Sequence, residues 1–529
     1  MNVIKTPEIR GIIDQHGHRK IWVVASLGET FLTMPEVAEP NKTSAKLAEI
    51  GYVLVPGKQR NEFFAKMAAV QEFSKQHIVD TTGHHQGRYA LGDGTQIVPP
   101  GLAHLPSAML VDQDKWTSEG TLKAWRKGVA KPLSDQSIPM FVVMLAFAPP
   151  LMRLMPPWTN PGFELVGRGG TGKSTLLKLA SSVYGGTGGA SGDGKRYWES
   201  WNVTVAGVET RLPGHTDCLL LLDELNALSG GGTTAAKRKS YNDILFSLAD
   251  GIERGRHREK RGRQHSLCYL STSNTSLVQE LCGGDAEVVR AASDRLLTIN
   301  ANAGAGLGVF SSLPTGFASS GELVESLKEA ANANHGVAIR AYLQALVNEM
   351  DADTDALTER LGEWSRTFER RALPPAPTGS QVRTASNFGL VYAAGKLAQA
   401  YGVLPKEWSC GPAVLACYEA HMLHKSMAFG RPEERIRAYA AQPDVLSTLP
   451  SSLTQDQLRA SAGLLVRERK YDELWVSPEV FADRMADAVA LMKQLRDIDL
   501  AICDPGQLQT TRPIAGRQRR LYCFRFPHK

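Results

Sequence analysis

Apolar and polar positions alternate along this chain in blocks that predict strands and helices in turn. Unbroken apolar runs that end in polar residues occur at "FELVG" (163–167), "CLLLLDELN" (218–226), "SLCYLSTSN" (266–274) and "DRLLTINAN" (294–302). Runs this short and this apolar predict strands buried on both faces of a parallel sheet. Helical spacing follows the first of them and returns in "SYNDILFSLADG" (240–251), so the middle of the chain reads as α/β. Residues 1–105 mix the strand-like runs "KIWVVAS", "GYVLVPG" and "GRYALGDGTQIV" with a helix near 60–77, which predicts a small α+β domain. Residues 106–160 read as helical and lead into the core. From 319 to 428 alanine and leucine recur at helical spacing, broken by the loop "ALPPAPTGS" (372–380), which predicts a helical lid. Beyond 431, "SLTQDQLRASAGLLV" and "SPEVFADRMADAVALMKQLRDIDL" read as helices, followed by two strands and a basic turn carrying Arg512, Arg517, Arg519 and Arg520. That order predicts a winged-helix-like domain. The expected boundaries are 1–105, 106–318, 319–430 and 431–529.

Composition narrows the class without naming a reaction. The 529 residues are 43% hydrophobic and 22% charged, enough apolar content for several packed cores rather than a disordered chain. The formal net charge of +6 permits a polyanionic partner. Seven cysteines are scattered without a CxxC pair, which predicts neither a disulfide framework nor a zinc ribbon and fits a reducing cytoplasm. "IPMFVVMLAFAPPLM" (138–152) falls short of the roughly 20 residues that span a bilayer and predicts a buried helix. The first twenty residues lack the pattern of a secretory signal. His421 and His424 share a helix face without a third ligand and read as packed histidines.

The first strand leads into Gly167-x-x-x-x-Gly172-Lys173-Ser174, the spacing of a phosphate-binding loop. Glycines let backbone N–H groups turn inward around phosphate oxygens, and the helix that follows aims its positive end at the same anion. Gly167, Gly169, Gly170, Thr171, Gly172, Lys173, Ser174 and Thr175 are therefore the expected ATP-binding set, with Lys173 on the β- and γ-phosphates and Ser174 on Mg²⁺. The second run ends in Asp223 and Glu224, a Walker B pattern in which Asp223 joins Ser174 in holding Mg²⁺ and Glu224 polarises the attacking water. Asn274, after the third run, is the expected water-orienting sensor. Arg295, at the start of the fourth, is the expected arginine finger acting on a neighbouring copy, with Arg290 a rival.

Between Walker B and the sensor strand lies "ERGRHREKRGRQH" (253–265), with six Arg/Lys and two Glu. A charge run is usually a solvated loop. This one follows a helix and contains glycines that suit a short β-hairpin, so Arg254, Arg256, Arg258, Lys260 and Arg261 are the expected DNA contacts.

Taken together, "GFELVGRGGTGKSTLLKLASSVYGG", "YWESWNVTVAGVETRLPGHTDCLLLLDEL", "LADGIERGRHRE", "LCYLSTSN", "DRLLTINANAGAGLGVF" and "QVRTASNFGLVYAAGKLAQAYG" resemble, in order and spacing, blocks of the MCM-like AAA+ helicases of bacterial mobile elements. The cassette chromosome helicases typify that family, long catalogued as a bacterial domain of unknown function. The resemblance implies an AAA+ P-loop core with a helical lid, a homo-oligomeric ring, read as a hexamer, and ATP-driven movement along single-stranded DNA in its channel. It also implies Arg383 as a lid arginine reaching the nucleotide, and replication or mobile-element proteins as partners. Two departures stand out: "DGIERGR" puts Arg254 near the family's hairpin lysine, and the sensor strand ends Ser-Thr-Ser-Asn where the family has Ser-Thr-Gly-Glu. The expected function is an ATP-dependent DNA helicase or translocase. The alternatives are a DNA-bound remodelling ATPase (initiator, loader or phage-defence component) without unwinding activity and a P-loop kinase or transferase.

Overall fold

The computed structural model describes residues 6–109, 111–188, 195–201, 205–224, 234–252, 264–281, 285–447, 453–454, 457, 461–468, 470–485, 487–514 and 516–527. The chain divides into two compact units, Met1–Gln113 and Asp114–Lys529, so residues 106–113 fall in the first.

In the first unit, β1 (Glu8–Ile13), β2 (Arg19–Ala25), β3 (Gly28–Thr33) and β4 (Phe73–Lys75) form a sheet of order β3-β2-β1-β4. Helices α1 (Met34–Val37), α2 (Pro40–Glu49) and α3 (Lys58–Ala68) accompany it, and Ile21, Val23, Leu32, Leu47, Phe63 and Met67 form the core. A second small sheet joins β5 (Gly83–His85), β6 (Arg88–Ala90) and β7 (Gln96–Ile97). Two expectations need correction. "GYVLVPG" is not a strand: Tyr52 and Leu54 are buried between exposed Val53 and Val55, so the alternation exists, but no strand pairs with it. The helix expected over 60–77 stops at Ala68, and Phe73–Lys75 pairs with β1 instead.

The second unit opens with α4 (Leu122–Trp125) and α5 (Ser137–Leu145). From Ile138 to Leu145 every residue of α5 is buried, which accounts for its uninterrupted apolar sequence. The central sheet contains β8 (Gly162–Val166), β9 (Glu199–Ser200), β10 (Leu219–Asp223), β11 (Cys268–Ser273) and β12 (Leu296–Asn300), in the order β12-β8-β11-β10-β9 with every pair parallel. Helices α6 (Lys173–Tyr184), α7 (Val205–Glu209), α8 (Thr234–Asp250), α9 (Leu277–Glu280) and α10 (Ala286–Ser293) connect the strands. Tyr241, Ile244, Leu245 and Leu248 of α8 share a core with Leu220, Leu222 and Tyr269 on one face of the sheet. Leu219 and Leu221 point to the other face and are equally buried, so the strand is apolar throughout.

Four helices follow: α11 (Ser320–Ala333), α12 (Val337–Ala372), α13 (Gly379–Ala400) and α14 (Cys410–Phe429). The long α12 is interrupted at Asp353 (φ −161°, ψ 89°), whose carboxylate accepts the Ala356 N–H at 2.9 Å and caps the renewed helix. Helix α15 (Pro432–Ala440) leads to an antiparallel sheet built on β14 (Gly463–Arg467), β15 (Tyr471–Val476) and β18 (Arg517–Pro527), edged by β13 (Val445–Leu446), β16 (Ala501–Ile502) and β17 (Thr510–Ile514). Helices Pro478–Arg484 and Ala488–Asp497 pack Phe481, Leu491 and Leu495 against Leu474, Tyr522 and Phe524. The two strands expected near the end are β17 and β18, but Gly463–Arg467, grouped by its sequence with a helix, is a strand. Its apolar residues pair across to β15, a long-range choice that local periodicity does not carry. Among the described residues no helix is long and apolar enough to cross a membrane.

Candidate nucleotide site

Parallel strands bring their carboxyl ends to one edge, and that edge holds a cavity of about 490 Å³. Its wall includes Gly169 to Thr175, Asp223, Glu224 and Asn274, joining residues from three strand ends. The loop after β8 turns through left-handed backbone at Gly170 (φ 81°) and Gly172 (φ 99°), and α6 starts at Lys173. Only glycine holds such angles without cost, so the loop N–H groups can face inward.

Lys173 is buried, and its ammonium donates to the carbonyls of Gly167 (2.5 Å) and Arg168 (3.0 Å) and to Asn274 Oδ1 (3.2 Å). Burial lowers its pKa from the ordinary lysine value, while Asp223 and Glu224 pull the other way. Gly167 thus serves through its carbonyl and lies on the wall of an adjoining cavity rather than this one. Ser174 Oγ stands 3.4 Å from Asp223 Oδ1, so a hydroxyl and a carboxylate converge where α6 meets β10. An all-oxygen pair beside a phosphate loop fits a hard divalent cation such as Mg²⁺.

Glu224 has φ +61°, a left-handed backbone that costs a non-glycine residue about 1–3 kcal/mol unless its surroundings impose it. The imposing group is Thr272. Its hydroxyl accepts the Glu224 N–H at 3.0 Å and donates to Asp223 Oδ1. One side chain on β11 therefore sets both acids of the neighbouring strand. The sequence reading passed over Thr272, although it lies two residues before Asn274, inside the strand that leads to it.

The opposite wall was missed as well. It comes from the segment after β12, where Leu307 and Phe310 reach the cavity together with Val324 of α11. Val309 N–H donates to Thr171 O at 2.9 Å, and a Cβ on Gly308 (φ +66°) would stand 2.3 Å from that same oxygen. The clustered Gly304, Gly306 and Gly308, all at positive φ, were the available signal.

Two expected residues lie away from this wall. Arg295 places its guanidinium 4.2 Å from the ring centroid of Phe246 on α8, and its Nη1 donates to Ala291 O. Arg383 is half exposed and pairs with Asp294 at 3.9 Å, next to Arg295 in sequence. Asp294 also accepts from Lys425 at 2.5 Å and Ser380 at 3.0 Å, which ties α13 and α14 to the start of β12. Arg290 lies over Phe429, 5.3 Å from its centroid. His421 is buried with Nδ1 3.2 Å from Thr298 O, and burial pushes its pKa down to about 3 and that of His424 down to about 4.

The family described as "Domain of unknown function (DUF927)" matches residues 25–265. That span takes in Lys173, Asp223, Glu224 and the cationic segment, and ends before Asn274, Arg295 and Arg383. Among curated proteins, no sequence matches the chain. Among solved structures, SCCmec type IV Cch, described as an active helicase, superposes with a TM-score of 0.58 at 16% identity over 100% of this chain and 94% of its own. Two apo structures of the NrS-1 C-terminal region give TM-scores of 0.30 and 0.29 at 13% and 14% identity, over 74% of this chain and 88% and 87% of theirs. The chain therefore shares the fold of the SCCmec Cch helicase, and the NrS-1 superpositions are too distant to bear on it.

The residues that flank the cationic segment lie at the other edge of the sheet. Arg254, Arg256, Arg258, Lys260 and Arg261 lie outside the described residues, but both flanks are described. α8 ends at Asp250, Gly251 takes φ +62°, and Ile252 bridges Gln264 in antiparallel sense. Asn160, just before β8, clamps this base: its Nδ2 donates to Leu248 O and His265 O at 2.9 Å each, and its Oδ1 accepts the Leu267 N–H at 3.1 Å. These residues precede β8 and β11, so both flanks stand at the amino ends of the strands, opposite the cavity.

Proposed function

We propose that this chain is an ATP-hydrolysing DNA helicase or translocase of the MCM-like AAA+ kind, active as a homo-oligomeric ring. One observation carries the reading. A P-loop, an Asp-Glu pair and a sensor asparagine line one cavity at the carboxyl ends of the sheet, while a strongly cationic segment is rooted at its amino ends. The strand order β12-β8-β11-β10-β9, which is 5-1-4-3-2 in chain order within the sheet, and the fold shared with SCCmec Cch support the AAA+ assignment.

In this reading Lys173 exchanges its loop carbonyls for the β- and γ-phosphate oxygens of ATP. Ser174 and Asp223 would hold Mg²⁺, which when bound neutralises charge across those phosphates. Glu224 takes the proton of the attacking water, and Asn274, already 3.2 Å from Lys173 Nζ, aligns that water. Arg295 serves the site of the next copy. The Asp294 cluster puts Arg383 beside Arg295, so we assign it to the same neighbour's site rather than to its own. Two elements span the sheet from the cavity edge to the cationic edge. One is α8, 17 residues or about 25 Å, and the other is β11, 6 residues or about 20 Å. A shift at Glu224 or Asn274 therefore reaches the cationic segment through rigid pieces.

A forked-duplex assay tests this reading. Turnover of ATP stimulated by single-stranded DNA, with strand displacement, is the expected result. Stimulation without displacement by an assembled ring would leave the remodelling ATPase instead. Mixing Lys173→Ala with Arg295→Ala protein should restore hydrolysis at the sites that combine an intact P-loop with an intact neighbouring arginine.

A further inference from the structure

The arginines that gather near the end of the chain lie on a two-stranded ribbon. From Thr510↔Leu521 to Ile514↔Arg517, β17 pairs with β18, while the contacts of β18 to β15 and β16 begin only at Tyr522. Ile514 and Leu521 root the ribbon in a buried cluster with Leu464, Val466 and Trp475. Pro513 has no N–H to offer, which blunts the outer strand against the addition of another.

What the ribbon presents is charge. Thr510–Ile514 and residues 517–521 hold four arginines and no acid. Arg512 stands directly across from Arg519, a pairing of like charges that costs stability unless an anion offsets it. Glu473 answers Arg512 at 3.3 Å, but it is shared with Arg525 at 2.8 Å. Arg517 and Arg520 are exposed, and among the described residues no acid pairs with either.

Three features choose among anionic partners. Successive residues of a strand point to opposite faces, so Arg520 lies on the other side of the ribbon from Arg517 and Arg519. A two-stranded ribbon fits the major groove of B-form DNA, where a phosphate backbone runs along either side, and arginine takes phosphate oxygens two at a time. The ribbon carries no aromatic residue, whereas sites for single strands use rings on which bases stack. Its large apolar residues, Ile514 and Leu521, are buried, so it lacks the exposed apolar centre of a protein–protein interface. DNA interfaces are polar and strongly positive instead.

We propose that the β17–β18 ribbon is a second DNA-binding surface, which grips the phosphate backbones of a duplex through Arg517 and Arg520. This rests on the DNA-translocase reading above and adds the duplex to the single strand as something the chain holds.

The test measures binding of the full chain, with a non-hydrolysable ATP analogue, to a fluorescein-labelled duplex and to oligo(dT) of equal length across a salt series. Arg517→Ala combined with Arg520→Ala should lessen the duplex slope of log K against log salt by about 1.8, since each duplex phosphate contact contributes about 0.9. The oligo(dT) slope should stay as it is. Arg517→Lys combined with Arg520→Lys keeps the charge and should restore the duplex slope. ATP hydrolysis without DNA should be unchanged in both variants, because neither residue lines the nucleotide cavity. An unchanged duplex slope, or an equal loss on oligo(dT), overturns the proposal. So does loss of oligomeric assembly in the Ala variant, which would mean that the ribbon packs on protein. Wild-type protein that binds oligo(dT) but no duplex overturns it too and leaves the translocase reading standing, whereas failure to bind either DNA sinks that reading as well.

Discussion

The two edges of the central sheet are built on different principles. At the carboxyl edge, atoms are placed one by one. Gly172 must be left-handed, Lys173 donates to three named acceptors, and Thr272 holds Glu224 in a conformation that a glutamate would otherwise avoid. At the amino edge, Asn160 fastens the root through main-chain atoms, and the sequence that follows is defined by its number of charges. Chemistry on one phosphorus atom needs the first kind of construction. Holding a polymer that slides needs only the second, because every phosphate is equivalent.

Breaking the carboxyl edge should have the largest effect. Glu224→Gln is expected to keep ATP and DNA binding while lowering kcat by about 10²–10³, measured by single-turnover hydrolysis. Retained hydrolysis would mean that another group takes the proton. At the amino edge, changing Arg254, Arg256 and Lys260 together to Ala should lessen the slope of log K against log salt by about 2, since each single-strand phosphate contact contributes about 0.7. An unchanged slope would show that these cations do not meet DNA.

Thr272→Val sharpens the comparison within the carboxyl edge. It keeps the volume and removes the hydroxyl, so kcat should fall about tenfold with KM nearly unchanged, and Thr272→Ser should recover most of the rate. Loss of binding instead would assign Thr272 to the nucleotide rather than to the two acids.

The smallest effect concerns Glu164 in the middle of β8, fully buried, accepting from Thr298 Oγ1 at 3.0 Å and the Leu277 N–H at 3.3 Å. Burial pushes its pKa up to about 8, from the ordinary carboxylic value. A carboxyl raised on folding stabilises the fold fully below its unfolded pKa, and that contribution is lost as pH rises through about 8. Wild-type protein should therefore lose stability across that window relative to Glu164→Gln, on the order of a few kcal/mol in chemical denaturation. Parallel curves for the two proteins would show that the carboxyl is charged or solvated at neutral pH.

Legibility in the sequence followed the same division. The four long central strands, the phosphate loop and the Asp-Glu pair could be read because each is local: an apolar run, a glycine spacing, two adjacent acids. Thr272 could not, since its value lies in reaching across to β10, 49 residues away along the chain. The wall formed by Leu307 and Phe310 depends on Gly308 meeting Thr171, which is also a long-range contact. The cationic segment was visible as charge, yet the residue that anchors it, Asn160, lies 105 residues before His265 and looks like an ordinary turn asparagine. β14 was misread for the same reason: Leu464 and Leu465 choose a strand because β15 is there to pair with them.

Asn160 holds only main-chain atoms: two carbonyls and one N–H, with its own N–H on a third carbonyl. Such a fastening is indifferent to which side chains lie between Ile252 and Gln264. Whatever side chains the sequence carries there, the root on either side of them is fixed through backbone atoms alone, at the opposite end of the strands from the cavity.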